Sequence, residues 1–254
     1  MKFSVIIPNY NSEKWIIRLL NSIASQTYKD YEVIIVDDMS QDNSVNMIKN
    51  YPSLKINLIE LEHKRYNGGT RNEGVYNAKG DYILFADCDD YFYKPNAFEV
   101  IANEIEKTKA DLIRLPYHYL VQYGEGDIGL HESSLEELTK SVFVAPWTKC
   151  IKRELFVPFP ENTLIEDVSQ HIEQMDKINS IGYVDMPIIV WNCRNEESIS
   201  YVGNEQKSIK RQASYYRIVA DLLDMEGKLT KPYCEEHRIW RLNNYKGILK
   251  ERLS

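Results

Sequence analysis

Over its first 115 residues the chain alternates short β-branched runs with segments of helical spacing, and few architectures accept that alternation. Residues 3–7, 32–36, 56–61, 82–85 and 111–115 have the length and composition of strands. Ser12 and Glu13 open a helix with Ile16, Leu19, Leu20 and Ile23 at helical spacing, and Asp42 caps a short one carrying Val45 and Ile48. Residues 70–79 form a third helix that stops at Gly80, and Pro95 begins a fourth striped with Phe98, Ile101, Ala102 and Ile105. Strands joined through helices pair in parallel, so the expected class is α/β: a mainly parallel central sheet with helices on both faces. In such sheets ligands bind beyond the carboxyl ends of the strands. That rule brings Pro8-Asn9-Tyr10-Asn11, Asp37-Asp38 and Asp87-Cys88-Asp89 to one rim.

The acidic cluster Asp87-Cys88-Asp89-Asp90 follows the buried-strand run 82–85. Three carboxylates in four positions repel one another unless positive charge sits between them. In extended chain, alternate side chains share a face, so Asp87 and Asp89 point one way and Cys88 turns back toward the protein. Oxygen-only ligands suit magnesium or manganese, and magnesium shares its shell with water and substrate phosphates. The plainer reading is a solvated acidic loop. A calcium loop starting at Asp87 needs Gly and Glu where this chain has Phe92 and Phe98.

Beyond residue 115 the pattern loosens. Residues 117–134, with Gly124, Gly126 and Gly129, read as a loop or lid, and 134–140 as a short helix. Residues 146–151 lead into a strand-like piece, Glu166-Asp167 start a helix running to about Ile178, and 188–193 form a further strand. Ile209, Ala213, Tyr216, Ala220 and Leu223 mark an amphipathic helix, with another after Pro232. A formal charge of −7 argues against general affinity for nucleic acid. Cys88, Cys150, Cys193 and Cys234 are widely separated, which fits reduced thiols in a cytoplasmic protein better than a zinc site or disulfide framework. The amino terminus enters a strand directly, so no signal peptide is expected, and no apolar run is long enough to span a membrane.

Taken in order, the segments S-V-I-I-P-N-Y-N, V-I-I-V-D-D-M-S-Q-D, G-G-T-R-N-E-G, D-C-D-D, P-W-T-K-C-I-K-R-E-L, I-E-D-V and W-N-C-R-N-E-E-S-I-S closely resemble a family 2 glycosyltransferase of the GT-A, Rossmann-like fold. They span roughly residues 3 to 200. The resemblance implies a catalytic domain over 1–203, a helical extension over 204–254, and inverting, metal-dependent transfer of a sugar from a nucleoside-diphosphate sugar, by default UDP-linked. Residues 8 to 10 and Asp38 would then hold base and ribose, with Pro8 in the backbone turn, Tyr10 offering a stacking face and Asp38 accepting hydrogen bonds. A turn or helix cap is the competing role for Asp37 and Asp38. Arg71 would lie near the diphosphate, and Asp89 would be the main Mn2+ or Mg2+ ligand. Asp87 would reach the metal or the ribose, with Asp90 as a substitute for either.

Asp167 matches the family's base, which takes the acceptor hydroxyl's proton; a helix N-terminus is expected to keep it ionised. Glu166 stands beside it, and Trp147 and Lys149 are expected by the acceptor and donor sugars. Arg194, with Ser198 and Ser200, is expected over the diphosphate. His171, one turn after Asp167, reads as a helix-face residue rather than a ligand. Glycan, lipid-linked or polymer acceptors are all open.

A sugar nucleotidyltransferase needs its glycine-rich loop after the first strand, and a dehydrogenase needs G-x-G-x-x-G; neither pattern is present in its place. A non-catalytic sugar-nucleotide or glycan-binding module would not need both Asp89 and Asp167. The tail 237–253 mixes Trp240 with several Arg and Lys residues without clean faces. Packing against the catalytic domain or a second subunit is therefore expected ahead of peripheral contact with the inner membrane face.

Overall fold

Every described residue of strand β1 (Phe3–Asn9) is buried, because it runs through the middle of the main sheet. The computed structural model describes residues 3–123, 127–132, 144–193 and 205–253. β1 pairs in parallel with β2 (Tyr31–Asp37) and with β4 (Tyr82–Phe85), and β2 pairs in parallel with β3 (Ile56–Glu60). Helices α1 (Ile16–Ala24), α2 (Ser44–Lys49) and α3 (Tyr66–Tyr76) make the crossovers. Next come the short β5 (Tyr91–Phe92), α4 (Ala97–Thr108) and β6 (Leu112–Arg114).

β9 (Lys149–Lys152) enters antiparallel between β4 and β6, and β10 (Ile181–Tyr183) pairs in parallel with the far side of β6. The seven-stranded order is β10-β6-β9-β4-β1-β2-β3. This is the expected α/β sheet, mainly parallel with one reversed strand.

A second, four-stranded sheet has the order β5-β11-β7-β8, with β7 at Tyr117–Tyr123, β8 at Asp127–Glu132 and β11 at Ile189–Trp191. The region read from its glycines as a loop or lid is thus an antiparallel hairpin. A glycine-containing strand reads as loop composition when the partner strand, here β11 some seventy residues on, is out of view. The short helix expected over 134–140 lies outside the described residues.

Two helices start elsewhere than their local signals suggest. α1 begins at Ile16 rather than Ser12, whose carbonyl accepts the Trp15 and Ile16 amides (2.8 and 3.0 Å). α3 begins at Tyr66, four residues before Thr70, because a carboxylate from the end of β2 receives its first amides.

Two apolar clusters hold the site-bearing elements in place. Phe3, Val5, Ile7, Leu19, Leu84 and Phe98 belong to the cluster that packs the sheet against α1 and α4. Val168, Ile172 and Met175 of α5 (Asp167–Lys177) join Ile218 and Leu222 of α6 (Glu205–Asp224) and Leu242 and Tyr245 of α7 (Pro232–Leu253) in another. The C-terminal helices therefore pack onto the body of the protein, and α7 continues through Gly247 without interruption. No helix among the described residues is long and apolar enough to cross a membrane.

Helix α3 lies on β1 at Gly74, where an added Cβ would run into the Cγ2 of fully buried Ile6. A β-branched strand residue cannot swing away. Gly74→Ala should lower the unfolding free energy by about 1–3 kcal/mol, outweighing a helix-propensity gain of up to about 1 kcal/mol. Urea titration with an unchanged m-value checks it.

Candidate active site

The register of β1 with β4 sets Ile6 beside Phe85, so the loops after both strands leave from one edge. There the Cys88 thiol donates to the Pro8 carbonyl (2.8 Å), which turns it inward as the alternation required. Asp87 and Asp89 line a cleft of about 740 Å³ together with Pro8, Tyr10, Trp147 and Asp167. That volume is within the usual range for small-molecule sites, about 300–1,000 Å³.

Asp90 does not line the cleft. Its buried carboxylate accepts the Asn192 amide (2.8 Å), and Oδ2 has no hydrogen-bond partner. Burial, with Asp89 and Asp87 nearby, pushes its pKa well up. It is therefore withdrawn as a substitute for either neighbour.

At the end of β2 both aspartates close turns. Asp37 accepts the Asn9 side-chain amide (2.6 Å) and the Ser40 N–H (2.9 Å). Asp38 accepts the backbone amides of Arg65 (2.7 Å) and Tyr66 (3.0 Å), and it is buried without lining the cleft. Tyr10 is half-exposed, with the Lys64 ammonium 3.0 Å from its ring centroid.

Arg71 is not the surface arginine that residue type alone would allow. It is 2% exposed, on the cleft wall, and donates to Asp87 Oδ1 (2.7 Å) and to Glu166. Burial alone would depress the guanidinium, but Asp87 and Glu166 hold it well above its usual range. Burial likewise raises Glu166, to about 7, against the pull of Arg71.

Asp167 is the first residue of α5. Burial raises its pKa above the ordinary aspartate value, and Arg71 and Lys149 offset only part of that.

Trp147 is buried on the cleft wall in edge contact with Tyr117 (4.9 Å between centroids) and beside Trp191 (5.9 Å). Lys149 is turned into the protein instead: its ammonium nitrogen donates to the Val144 carbonyl (2.8 Å) and lies 3.0 Å from His171 Nδ1. Burial depresses both side chains, and Arg114 lowers Lys149 further. His171 is buried on its helix, as a helix-face residue. Arg194, Ser198 and Ser200 lie outside the described residues.

Sequence reasoning missed the wall supplied by the last helices: Tyr215 from α6 and Arg241, Asn244, Tyr245 and Ile248 from α7. The α7 positions sit at i, i+3, i+4 and i+7, one face of the helix. The mixed chemistry of that face, cationic, amide, aromatic and aliphatic, hid it from a search for a purely apolar stripe.

Among the described residues no three His, Cys, Asp or Glu side chains could by themselves hold a metal ion. Two aspartates on one cleft still fit magnesium or manganese, which completes its shell with water and substrate phosphates.

A sequence model of the family described as "Glycosyl transferase family 2" matches residues 4–149. The chain belongs to glycosyl transferase family 2. Within the family, poly(ribitol-phosphate) beta-N-acetylglucosaminyltransferase TarS of Staphylococcus aureus is 43% identical over 99 residues, covering 37% of this chain and 17% of TarS. Glycosyltransferase GlyG of Streptococcus pneumoniae is 30% identical over 175 residues, 60% of this chain and 57% of GlyG. The chain thus spans less than two thirds of either relative.

The crystal structure of S. aureus TarS 1-349 in complex with UDP-GlcNAc matches with a TM-score of 0.75 at 26% identity, covering 96% of this chain and 71% of that one. This family 2 member therefore has a GT-A-like fold. A mannosyltransferase from Pyrobaculum calidifontis in complex with GDP-Man and Mn2+ shares the fold alone, with a TM-score of 0.62 at 16% identity over 96% of this chain and 73% of that one.

Replacing Arg71 by Met would leave Glu166 and Asp87 facing each other without a cation. Removing one partner of a buried ion pair costs about 3–5 kcal/mol, so the unfolding midpoint in urea should fall by a corresponding amount. Arg71→Lys should recover part of it, since one ammonium cannot bridge both carboxylates as a fork does.

Proposed function

We propose that this protein is a metal-dependent, inverting glycosyltransferase that moves a sugar from a UDP-sugar to a hydroxyl of a polymer or glycan acceptor. The observation that carries the reading is the meeting of Asp87, Asp89 and Asp167 on one cleft, from segments eighty residues apart in sequence. Family membership and the likeness to a UDP-GlcNAc complex support the donor class. TarS, by its name, acts on poly(ribitol-phosphate), which supports a polymer as acceptor. We read residues 1–203 as the catalytic domain, 204–254 as its helical extension, and the cytoplasm, where the family resemblance implies that donors are met, as the site of action.

In this reading Asp89, with Asp87, would hold a Mg2+ or Mn2+ ion, which would supply positive charge beside the nucleoside diphosphate. Tyr10 offers its half-exposed ring to the base. Asp38, buried off the cleft, accepts the first amides of α3 and so sets the helix that carries Arg71. Arg71 holds Asp87 and, through Glu166, the start of α5 in fixed relation. Asp167 takes the acceptor proton as that oxygen attacks from the face opposite the leaving group, which inverts the anomeric centre. Its raised pKa makes it a stronger base when deprotonated, at the cost of activity under acid conditions. Trp147 forms an apolar floor that keeps water from competing with the acceptor.

A screen of nucleotide sugars for hydrolysis and transfer, starting with UDP-GlcNAc, tests the class; a wild-type protein that turns over none of them would overturn it. Asp167→Asn should retain donor binding by calorimetry and lose transfer by about 10²–10⁴-fold, the usual contribution of a general base. Because only deprotonated Asp167 is active and its pKa is raised, the acid limb of the transfer profile should lie above the ordinary aspartate pKa. A limb at or below that value would remove Asp167 from the role. Asp89→Ala should abolish the Mn2+-dependent part of UDP affinity, and affinity unchanged by the substitution would refute the metal assignment.

A further inference from the structure

Besides Asp87, Asp89, Arg71, Glu166 and Asp167, the cleft is lined by Tyr215, Arg241, Asn244 and Tyr245 of the C-terminal helices, a wall of different character. Arg241 is close enough to Asp167 for each to act on the other's charge. The same holds for Tyr245. Arg241 and Tyr245 are therefore near the place where an acceptor hydroxyl must sit to give Asp167 its proton.

Arg241 is the cation that the last helices add to this wall. Arg71 is matched on the donor side by Asp87 and Glu166. Around Asp167 itself act Arg71, Lys149 and Arg241, with Arg114 behind Lys149. Of the five cleft residues from the last helices none is acidic.

Arg241 is also braced. Its Nε donates to His237 Nε2 (3.3 Å), and its guanidinium carbon lies 5.0 Å from the Trp240 ring centroid. His237 in turn rests on His171, with 5.8 Å between ring centroids. One turn on, Leu242 and Tyr245 anchor α7 in the core formed with Val168 and Ile172 of the base's own helix. A guanidinium held on a rigid element offers a planar fork suited to phosphate oxygens. Tyr215 and Tyr245, 5.7 Å apart, give flat faces for a sugar or alditol, and exposed Asn244 offers both a donor and an acceptor to hydroxyls.

We propose that this face of the C-terminal helices is the acceptor subsite, and that Arg241 receives a phosphodiester of an anionic polyol-phosphate chain next to the hydroxyl that Asp167 activates. The inference rests on the transferase reading and narrows its acceptor class. Neutral glycans would gain nothing from the cation, so the subsite discriminates by charge as well as by shape.

The test is calorimetric binding of a synthetic ribitol-phosphate oligomer, free ribitol and inorganic phosphate to the full chain in the presence of UDP and Mn2+. Loss of one charge-assisted contact corresponds to about ten- to a hundredfold in affinity. Arg241→Gln should weaken the oligomer by that factor, Arg241→Lys by less, and Asn244→Ala by a smaller factor still. The lysine variant keeps the aliphatic stem and serves if the glutamine variant does not fold.

Failure of the wild type to bind the oligomer, equal binding of free ribitol, or full affinity in Arg241→Gln would each overturn the proposal. Inorganic phosphate binding as tightly as the oligomer would reassign the site to free anions and overturn it too. Donor hydrolysis, measured separately, reports on the transferase reading: its absence counts against that reading, whereas hydrolysis without oligomer binding counts against this subsite alone.

Discussion

A single buried guanidinium holds the cleft together. Arg71 comes from α3, Asp87 from the end of β4 and Glu166 from the start of α5, and no other described contact joins these three segments at one point. A cation withdrawn from water is tolerable only when matched, and two carboxylates sharing it are held apart by its planar geometry. The consequence reaches both acidic segments of the cleft, because Asp89 lies two residues past one carboxylate and Asp167 one residue past the other. Positions of groups from remote parts of the chain are thereby fixed to the accuracy of a hydrogen bond rather than of a loop.

The C-terminal helices are part of the cleft rather than an appendix. Their apolar residues close a core with α5, and their cleft-facing side chains extend the wall beyond Asp167. The same helix that buries Leu242 presents Arg241, which couples the stability of the extension to the geometry of the site.

Much of this was legible in the residues. The parallel sheet, the shared rim and the inward turn of Cys88 follow from strand alternation and from the placing of ligands at strand ends. Other features were hidden for physical reasons. β7 and β8 are a hairpin whose sheet partner β11 lies far along the chain, so its glycines resembled a loop. Lys149 looked like a cleft residue by position, yet β9 runs antiparallel and turns it toward His171. Asp90 was interchangeable with its neighbours on paper; one further residue of turn buried it against Asn192.

By itself the sequence determined the main strands and helices of the first 115 residues, which ends carry acids, and which family the chain resembles, because hydrophobic period and turn chemistry are local properties. Only the tertiary structure decided which carboxylates share a cation, how far burial raises the pKa of Asp167, and that α7 supplies a wall of the cleft. Those depend on distance and desolvation between groups remote in the chain, quantities that exist only once the chain has folded.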